Sequence, residues 1–294
     1  MKIFVSGREG QVARSLAVAA SGRAGLELSF AGRPEIDLAV AGSAARAIGA
    51  ARPDLVIHAA AYTAVDRAES DVELAHRVNG LAAGEVAAAA AACGARLIHI
   101  STDYVFDGSA SRPYVESDPT GPVNAYGASK LAGEAAVRAA HPEALILRTS
   151  WIVSRFGQNF VKTMLRLAQT RNELAVVGDQ FGCPTEAGAL ARALVDLAGR
   201  WDELRPGGTY HLAGSGSATW AELAEAVMQA SAARGGPRAA IRPIPTADYP
   251  TPAARPRYTV LDCRRAQHDL GLVLPPWRQA IDTLTDELIR ECRA

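Results

Sequence analysis

The chain is short of lysine, of paired cysteines, of net charge and of long apolar runs, and each shortage excludes a class of protein. Its 294 residues carry 31 Lys and Arg against 31 Asp and Glu, so the formal net charge is zero. A nucleic-acid binder would be basic overall or carry a basic stripe. Neither is present, and no nucleic-acid partner is expected. The four cysteines, Cys93, Cys183, Cys263 and Cys292, stand far apart with no CxxC pair. That spacing supports neither a zinc site nor a disulfide framework and fits a reducing cytoplasm. The alanine-rich run at 85–93 is too short and too weakly apolar to span a bilayer. The opening Met1-Lys2-Ile3-Phe4-Val5 passes into a glycine turn without the longer apolar region of a signal peptide. A cytoplasmic location and no membrane partner are therefore expected. Disorder is excluded by the 49% of hydrophobic residues. Only Lys2, Lys130 and Lys162 are lysines. In a chain that otherwise uses arginine, a retained lysine is informative.

Short apolar runs at 2–6, 26–31, 54–60, 96–101 and 144–149 read as strands. Helical runs at 11–20, 43–51, 72–93 and 126–140 lie between or after them. Strands alternating with helices predict a parallel sheet covered on both faces, the Rossmann-type doubly wound α/β arrangement. Past residue 150 the alternation loosens. Helices are expected at 160–169, 187–198 and 220–232, and a strand returning to the sheet at 207–212. The proline-rich stretch 237–256 reads as an extended surface path. The predicted organisation is a nucleotide-binding domain over 1–150, with a returning segment near 187–215. Residues 151–294 then form mainly a smaller, substrate-binding lobe.

Gly7-x-x-Gly10-x-x-Ala13 follows the first strand and opens a helix, the context a dinucleotide fingerprint requires. The glycines let the backbone approach a pyrophosphate, and the helix N-terminus offers unpaired N–H groups with partial positive charge. The competing reading is a loop that merely contains glycines. At the end of the second strand an acid would bind a ribose 2′-hydroxyl, whereas an arginine accommodates a 2′-phosphate. The chain has Phe30-Ala31-Gly32-Arg33 there. Arg33 therefore points to NADPH, with NADH as the alternative and an ordinary surface arginine as the rival.

Tyr126-Gly127-Ala128-Ser129-Lys130 sets a phenol and an ammonium four residues apart, on one face of a helix. A free tyrosine titrates near 10, too high for efficient proton exchange near neutrality. A cation within about 4–6 Å favours the phenolate and lowers that value by about 1–3 units. Ser101 and Thr102 end the fourth strand, and either hydroxyl can meet a substrate carbonyl together with Tyr126. A plain turn or helix cap accounts for the same residues.

These elements together resemble the extended short-chain dehydrogenase/reductases. The likeness extends to the dTDP-4-dehydrorhamnose reductase family through Gly7-Arg8-Glu9-Gly10-Gln11-Val12, Ala61-Tyr62-Thr63-Ala64-Val65-Asp66, Ser101-Thr102-Asp103-Tyr104-Val105-Phe106, and Asn124-Ala125-Tyr126-Gly127-Ala128-Ser129-Lys130. Arg148-Thr149-Ser150-Trp151, Asn159-Phe160-Val161-Lys162, Asp179-Gln180-Phe181-Gly182-Cys183-Pro184-Thr185 and Tyr249-Pro250-Thr251-Pro252-Ala253 continue it, nearly end to end. The resemblance implies NADPH-dependent reduction of the C4 ketone of dTDP-4-dehydro-β-L-rhamnose, giving dTDP-L-rhamnose for cell-surface polysaccharide precursors. It makes Tyr126 the proton donor and Lys130 its partner, and selects Thr102 as the hydroxyl that tunes the tyrosine and contacts substrate. It places Asp103 and Trp151 in the sugar pocket. Gly10, Gln11, Val12, Asp37, Leu38, Ala61, Tyr62 and Thr63 join Gly7 as cofactor contacts.

Some relatives form a magnesium-bridged dimer through several glutamates. Here Ala13-Arg14-Ser15 stands where the first glutamate is expected, Glu186 looks displaced, and Glu287 alone is a poor magnesium cage. No metal is expected, and the chain should be a monomer or a weak homodimer. The rival functions are a reductase or epimerase acting on another nucleotide-linked 4-keto-6-deoxysugar, and a non-catalytic regulatory homologue. The retained Tyr126–Lys130 pair argues against the latter.

Overall fold

The structure, a computed structural model, describes residues 1–292. Its centre is a parallel sheet of β1 (Lys2–Ser6), β2 (Glu27–Ala31), β3 (Leu55–His58), β4 (Arg96–Thr102) and β5 (Leu145–Thr149), with the strand Gly208–His211 beyond β5. The spatial order is Gly208–His211, β5, β4, β3, β1, β2. Every neighbour pair is parallel.

A parallel strand covered on both faces must be apolar on both, and the side-chain alternation sorts these residues into two layers. Ile3, Val5, Leu55, Ile57, Leu145 and Leu147 pack with α1 (Gln11–Ala20) and the helix Ala187–Gly199. Phe4, Val56, Leu97 and Ile146 face the helices Ser43–Ala51, Ala82–Ala92 and Ala125–Ala140. Truncating a fully buried residue such as Leu145 to alanine would cost about 2–5 kcal/mol. Strand order reverses between β1 and β3, the place where open α/β sheets bind ligands beyond their strand ends. The segments following β1, β3 and β4 open there.

A second core lies between the helices Phe160–Leu167, Trp220–Ala233 and Trp277–Glu291, around Val161, Leu165, Leu223, Val227, Ile281 and Leu284. Beside it, Glu173–Val177 pairs in parallel with Ala240–Ile244. The stretch 237–256, read as an extended surface path, thus contains a largely exposed strand and, at Thr246–Asp248, a 3₁₀ turn. Pro243 is tolerated because each strand of a two-stranded sheet is an edge. The helical region 72–93 is also interrupted, by a π-turn at Arg77–Leu81 between Val72–His76 and Ala82–Ala92. Among the described residues no helix is long and apolar enough to cross a membrane.

Candidate active site

The turn after β1 is shaped to receive a phosphate. Gly7 has φ +101°, a region open to glycine, and its N–H donates to Ala31 O at 2.7 Å. Gly10 is the N-cap of α1, with no side-chain cap bond and no acid in the first turn. The first N–H groups of α1 thus keep their donors and their positive partial charge for an anion, so a dinucleotide pyrophosphate fits. The Val12 side chain belongs to the core, which leaves only its backbone to meet a cofactor. The Gln11 carboxamide reaches the second half of the chain, where its Oε1 accepts from Ser154 Oγ at 2.9 Å and Asn159 Nδ2 at 3.0 Å.

Arg33 is exposed just past β2, and among the described residues it forms no ion pair. Sequence reasoning missed Arg8. It packs beside Gly32, donates to Phe30 O at 3.5 Å and pairs with Glu35 at 2.8 Å. Two guanidinium groups therefore border the end of β2. Asp37 accepts from Ala39 N at 2.9 Å, while Leu38 is buried. Ala61, Tyr62 and Thr63 follow β3. Their loop is held by Asn79 of the π-turn, whose Oδ1 accepts from Tyr62 N at 2.8 Å and whose Nδ2 donates to Tyr62 O at 3.0 Å and Ser129 Oγ at 2.9 Å. The sequence signal for Asn79 was weak, because one asparagine in a helical run reads as a surface residue.

The helix Ala125–Ala140 begins at Asn124, whose Oδ1 accepts from Gly127 N at 2.7 Å. Tyr126 and Lys130 share its sheet-facing side. Thr102, at the end of β4, lies beside the Tyr126 hydroxyl and donates to Asp103 Oδ1 at 3.1 Å, whereas Ser101 donates to Glu134 Oε1 at 2.6 Å. The strand alternation thus sends the two neighbouring hydroxyls to different partners. Burial pushes the Tyr126 phenol up to about 12 against the opposing pull of the nearby Thr102 hydroxyl. This differs from the expected lowering by Lys130. The Lys130 ammonium, 3% exposed, donates to Ile100 O at 2.7 Å, and burial pulls it down to about 8. The phenol is held as a proton donor.

Asp103 follows Thr102 at the end of β4 and is buried. Burial raises its carboxyl to about 6, although it accepts from Thr259 Oγ1 at 2.5 Å, Ser150 Oγ at 2.8 Å and Thr102 Oγ1 at 3.1 Å. Its carboxylate is thus engaged by the protein, which leaves its backbone and its charge to shape the pocket. Trp151 follows β5 with φ +45°. A left-handed conformation costs a residue with a Cβ about 1–2 kcal/mol, and here it turns the indole out toward the second core.

The structure also brings Ser15, Glu186 and Glu287 around one cavity of about 520 Å³. Glu186 thus faces the same cavity as Glu287. Its oxygens cap the helix Ala187–Gly199, accepting from Gly188 N and Ala189 N at 2.6 Å each. Among the described residues no group of three or more His, Cys, Asp or Glu could hold a metal ion.

Comparison with known proteins agrees with this geometry. The family described as RmlD substrate binding domain matches residues 1–290. A dTDP-4-dehydrorhamnose reductase of Sinorhizobium fredii is 45% identical over 99% of both chains. Among solved structures, the dTDP-4-dehydrorhamnose reductase of Clostridium acetobutylicum superposes with a TM-score of 0.92 at 35% identity, covering 98% of this chain and 100% of its own. That of Bacillus anthracis, in complex with NADP, has a TM-score of 0.90 at 33% identity, covering 97% of this chain and 99% of its own. With the fingerprint turn, the Tyr126–Lys130 helix and the end-to-end match in agreement, this chain belongs to the dTDP-4-dehydrorhamnose reductase family.

Proposed function

We propose that this chain reduces the C4 ketone of dTDP-4-dehydro-β-L-rhamnose to dTDP-L-rhamnose with NADPH. The observation that carries this reading is Tyr126 and the buried Lys130 on one helix beside Thr102, at the sheet end where the Gly7–Gly10 turn opens. NADPH supplies the hydride that reaches C4. The turn binds the pyrophosphate, and Arg33 with Arg8 receives the 2′-phosphate. Tyr126 gives its proton to the ketone oxygen as negative charge develops there. A phenol kept protonated suits the reductive direction, because a donor must carry its proton when substrate arrives. Lys130 keeps positive charge beside the phenolate that proton transfer leaves. Thr102 aligns the phenol and the carbonyl, while Asp103 and Trp151 wall the sugar pocket.

In this reading, residues 1–150 with the returning segment near 187–215 hold the cofactor, and the rest of 151–294 mainly holds the nucleotide sugar. The protein works in the cytoplasm as a monomer or weak homodimer. The test is NADPH oxidation with dTDP-4-dehydro-β-L-rhamnose, followed by NMR assignment of the product at C4. Turnover to the L-rhamnose configuration is expected. No oxidation, or the opposite configuration, would overturn the reading.

A further inference from the structure

Trp151 stands in a built aromatic clamp that neither the mechanism nor the sequence reading uses. Its indole stacks on Trp220 with ring centroids 3.5 Å apart and planes 6° from parallel. Phe160 leans on Trp220 at 4.8 Å and 45°. Both supporting rings sit on the first residue of a capped helix. Trp220 follows Thr219, whose Oγ1 accepts from Glu222 N at 3.1 Å while Glu222 Oε2 accepts from Thr219 N at 2.7 Å. This reciprocal capping box fixes where the helix starts and so where its first side chain points. Phe160 follows Asn159, whose Oδ1 accepts from Lys162 N at 3.2 Å.

The Trp151 backbone is pinned as well. Ser150 is tied to Asp103, and Trp151 O accepts from Thr185 N at 3.1 Å. Gly182 closes the remaining space, since a Cβ there would fall 2.4 Å from Trp151 Cε2. A left-handed residue, a glycine and a flat partner together leave the indole a single place. Three large aromatics, each only partly buried, are gathered against the second core.

We infer that Trp220 is a positioning residue for the nucleotide-sugar pocket, acting by holding the Trp151 indole flat and fixed where substrate meets it. The inference rests on the proposed placement of Trp151 in that pocket. Among the described residues no hydrogen bond or ring contact joins Trp220 to the Gly7–Gly10 turn or to Tyr126. It should therefore govern sugar-nucleotide affinity and leave cofactor affinity alone.

The test compares Trp220→Leu, Trp220→Phe and Trp151→Ala with wild type in the full chain. It reads KM and kcat for the nucleotide sugar, Kd for the product dTDP-L-rhamnose and for NADP⁺ by calorimetry, and melting temperature. Trp220→Leu should raise KM and the dTDP-L-rhamnose Kd by about 3- to 10-fold, the scale of one aromatic pair, with kcat and the NADP⁺ Kd within about twofold of wild type. Trp220→Phe keeps a flat ring and should recover most of the loss, and it serves if the leucine variant does not fold. A lower melting temperature with unchanged KM and dTDP-L-rhamnose Kd would mark simple packing and overturn the inference. So would an equal loss of NADP⁺ affinity. If Trp151→Ala itself leaves KM and the dTDP-L-rhamnose Kd unchanged, the placement of Trp151 fails instead.

Discussion

Glu134 and Arg148 form a two-pronged ion pair inside the protein, Nε to Oε1 at 2.9 Å and Nη2 to Oε2 at 2.8 Å, with the side chains 0% and 4% exposed. It ties the helix of Tyr126 and Lys130 to β5, while Ser101 Oγ, bonded to Glu134, ties in β4. Arg148 Nη1 is already buried without a partner, so the guanidinium has no spare bond to make when Glu134 is lost. Removing one member of a buried pair typically costs about 3–5 kcal/mol. Glu134→Gln should lower stability in urea on that scale. Arg138→Ala, whose side chain is 44% exposed at 3.2 Å from the same carboxylate, should cost about 0–1 kcal/mol. Equal effects of the two variants would show that the buried pair is not what holds the helix.

Tyr126→Phe keeps the ring and removes the proton. Turnover should fall by roughly 10²–10⁴, the usual scale for losing a general acid. Binding of NADP⁺ by calorimetry should stay close to wild type, because the cofactor turn is untouched. Near-normal kcat in this variant would remove Tyr126 from the proton-donating role.

Much of this arrangement is legible in the sequence because the sheet is written locally. Leu55-Val56-Ile57 and Leu145-Ile146-Leu147 must be buried on both faces, and the chemistry follows directly at strand ends. The choice between Ser101 and Thr102 was not legible, since it depends on which residue Glu134 reaches from a helix 33 positions away. Asp103 could not be paired in advance with Thr259, 156 residues on, nor Asp66 with Arg255, 189 residues on. The strand Ala240–Ile244 was hidden by Pro243 within it. Periodicity reports one element at a time, and the second core is made of contacts between elements.

The Asp103 carboxyl gives a pH signature. Burial raises it to about 6 in the folded protein, against an ordinary value near 3.9. Between about pH 4 and 6 the folded state holds a proton that the unfolded state has released, so stability falls as pH rises through that window. A rise of about two units corresponds to about 3 kcal/mol. Asp103→Asn keeps an acceptor for Ser150 and Thr259 without the charge. Its stability relative to wild type should climb from pH 4 to 6 and then level off. Urea unfolding at several pH values measures this, and parallel curves for the two proteins would contradict the raised carboxyl.

Chelation should change neither activity nor oligomeric state. Glu186 spends its oxygens on the helix cap and Ser15 brings no charge, which leaves Glu287 without a second free carboxylate in that cavity. Divalent cations need several hard oxygen ligands. Light scattering and NADPH oxidation with and without EDTA decide the matter. Loss of a dimer on chelation, restored by magnesium, would show that these residues do gather a metal.

Cofactor choice is the sharpest test of the β2 end. Arg33 is exposed and among the described residues forms no ion pair, so it is available to a 2′-phosphate, while Arg8 is held nearby by Glu35. A charge-assisted bond of about 1.5–3 kcal/mol corresponds to roughly a tenfold to hundredfold preference. NADPH should exceed NADH in kcat/KM by a factor in that range, less at high salt because the site is at the surface. Arg33→Ala should erase most of the preference and spare NADH activity. Arg8→Ala should remove a further share, since its guanidinium borders the same strand end. Placing Asp at Gly32 would repel the phosphate and favour a ribose hydroxyl, yet it cannot be a clean reversal here. A Cβ at Gly32 would lie 3.2 Å from both Arg8 Cβ and Arg8 N, and the second of these is backbone of the cofactor turn itself. Gly32→Asp should therefore invert the ratio while lowering kcat/KM with both cofactors. Measuring both cofactors in all four proteins, with NADP⁺ and NAD⁺ affinities by calorimetry, separates these effects. An indifferent wild type, or an Arg33→Ala variant with an unchanged ratio, would reduce Arg33 to a solvated surface charge.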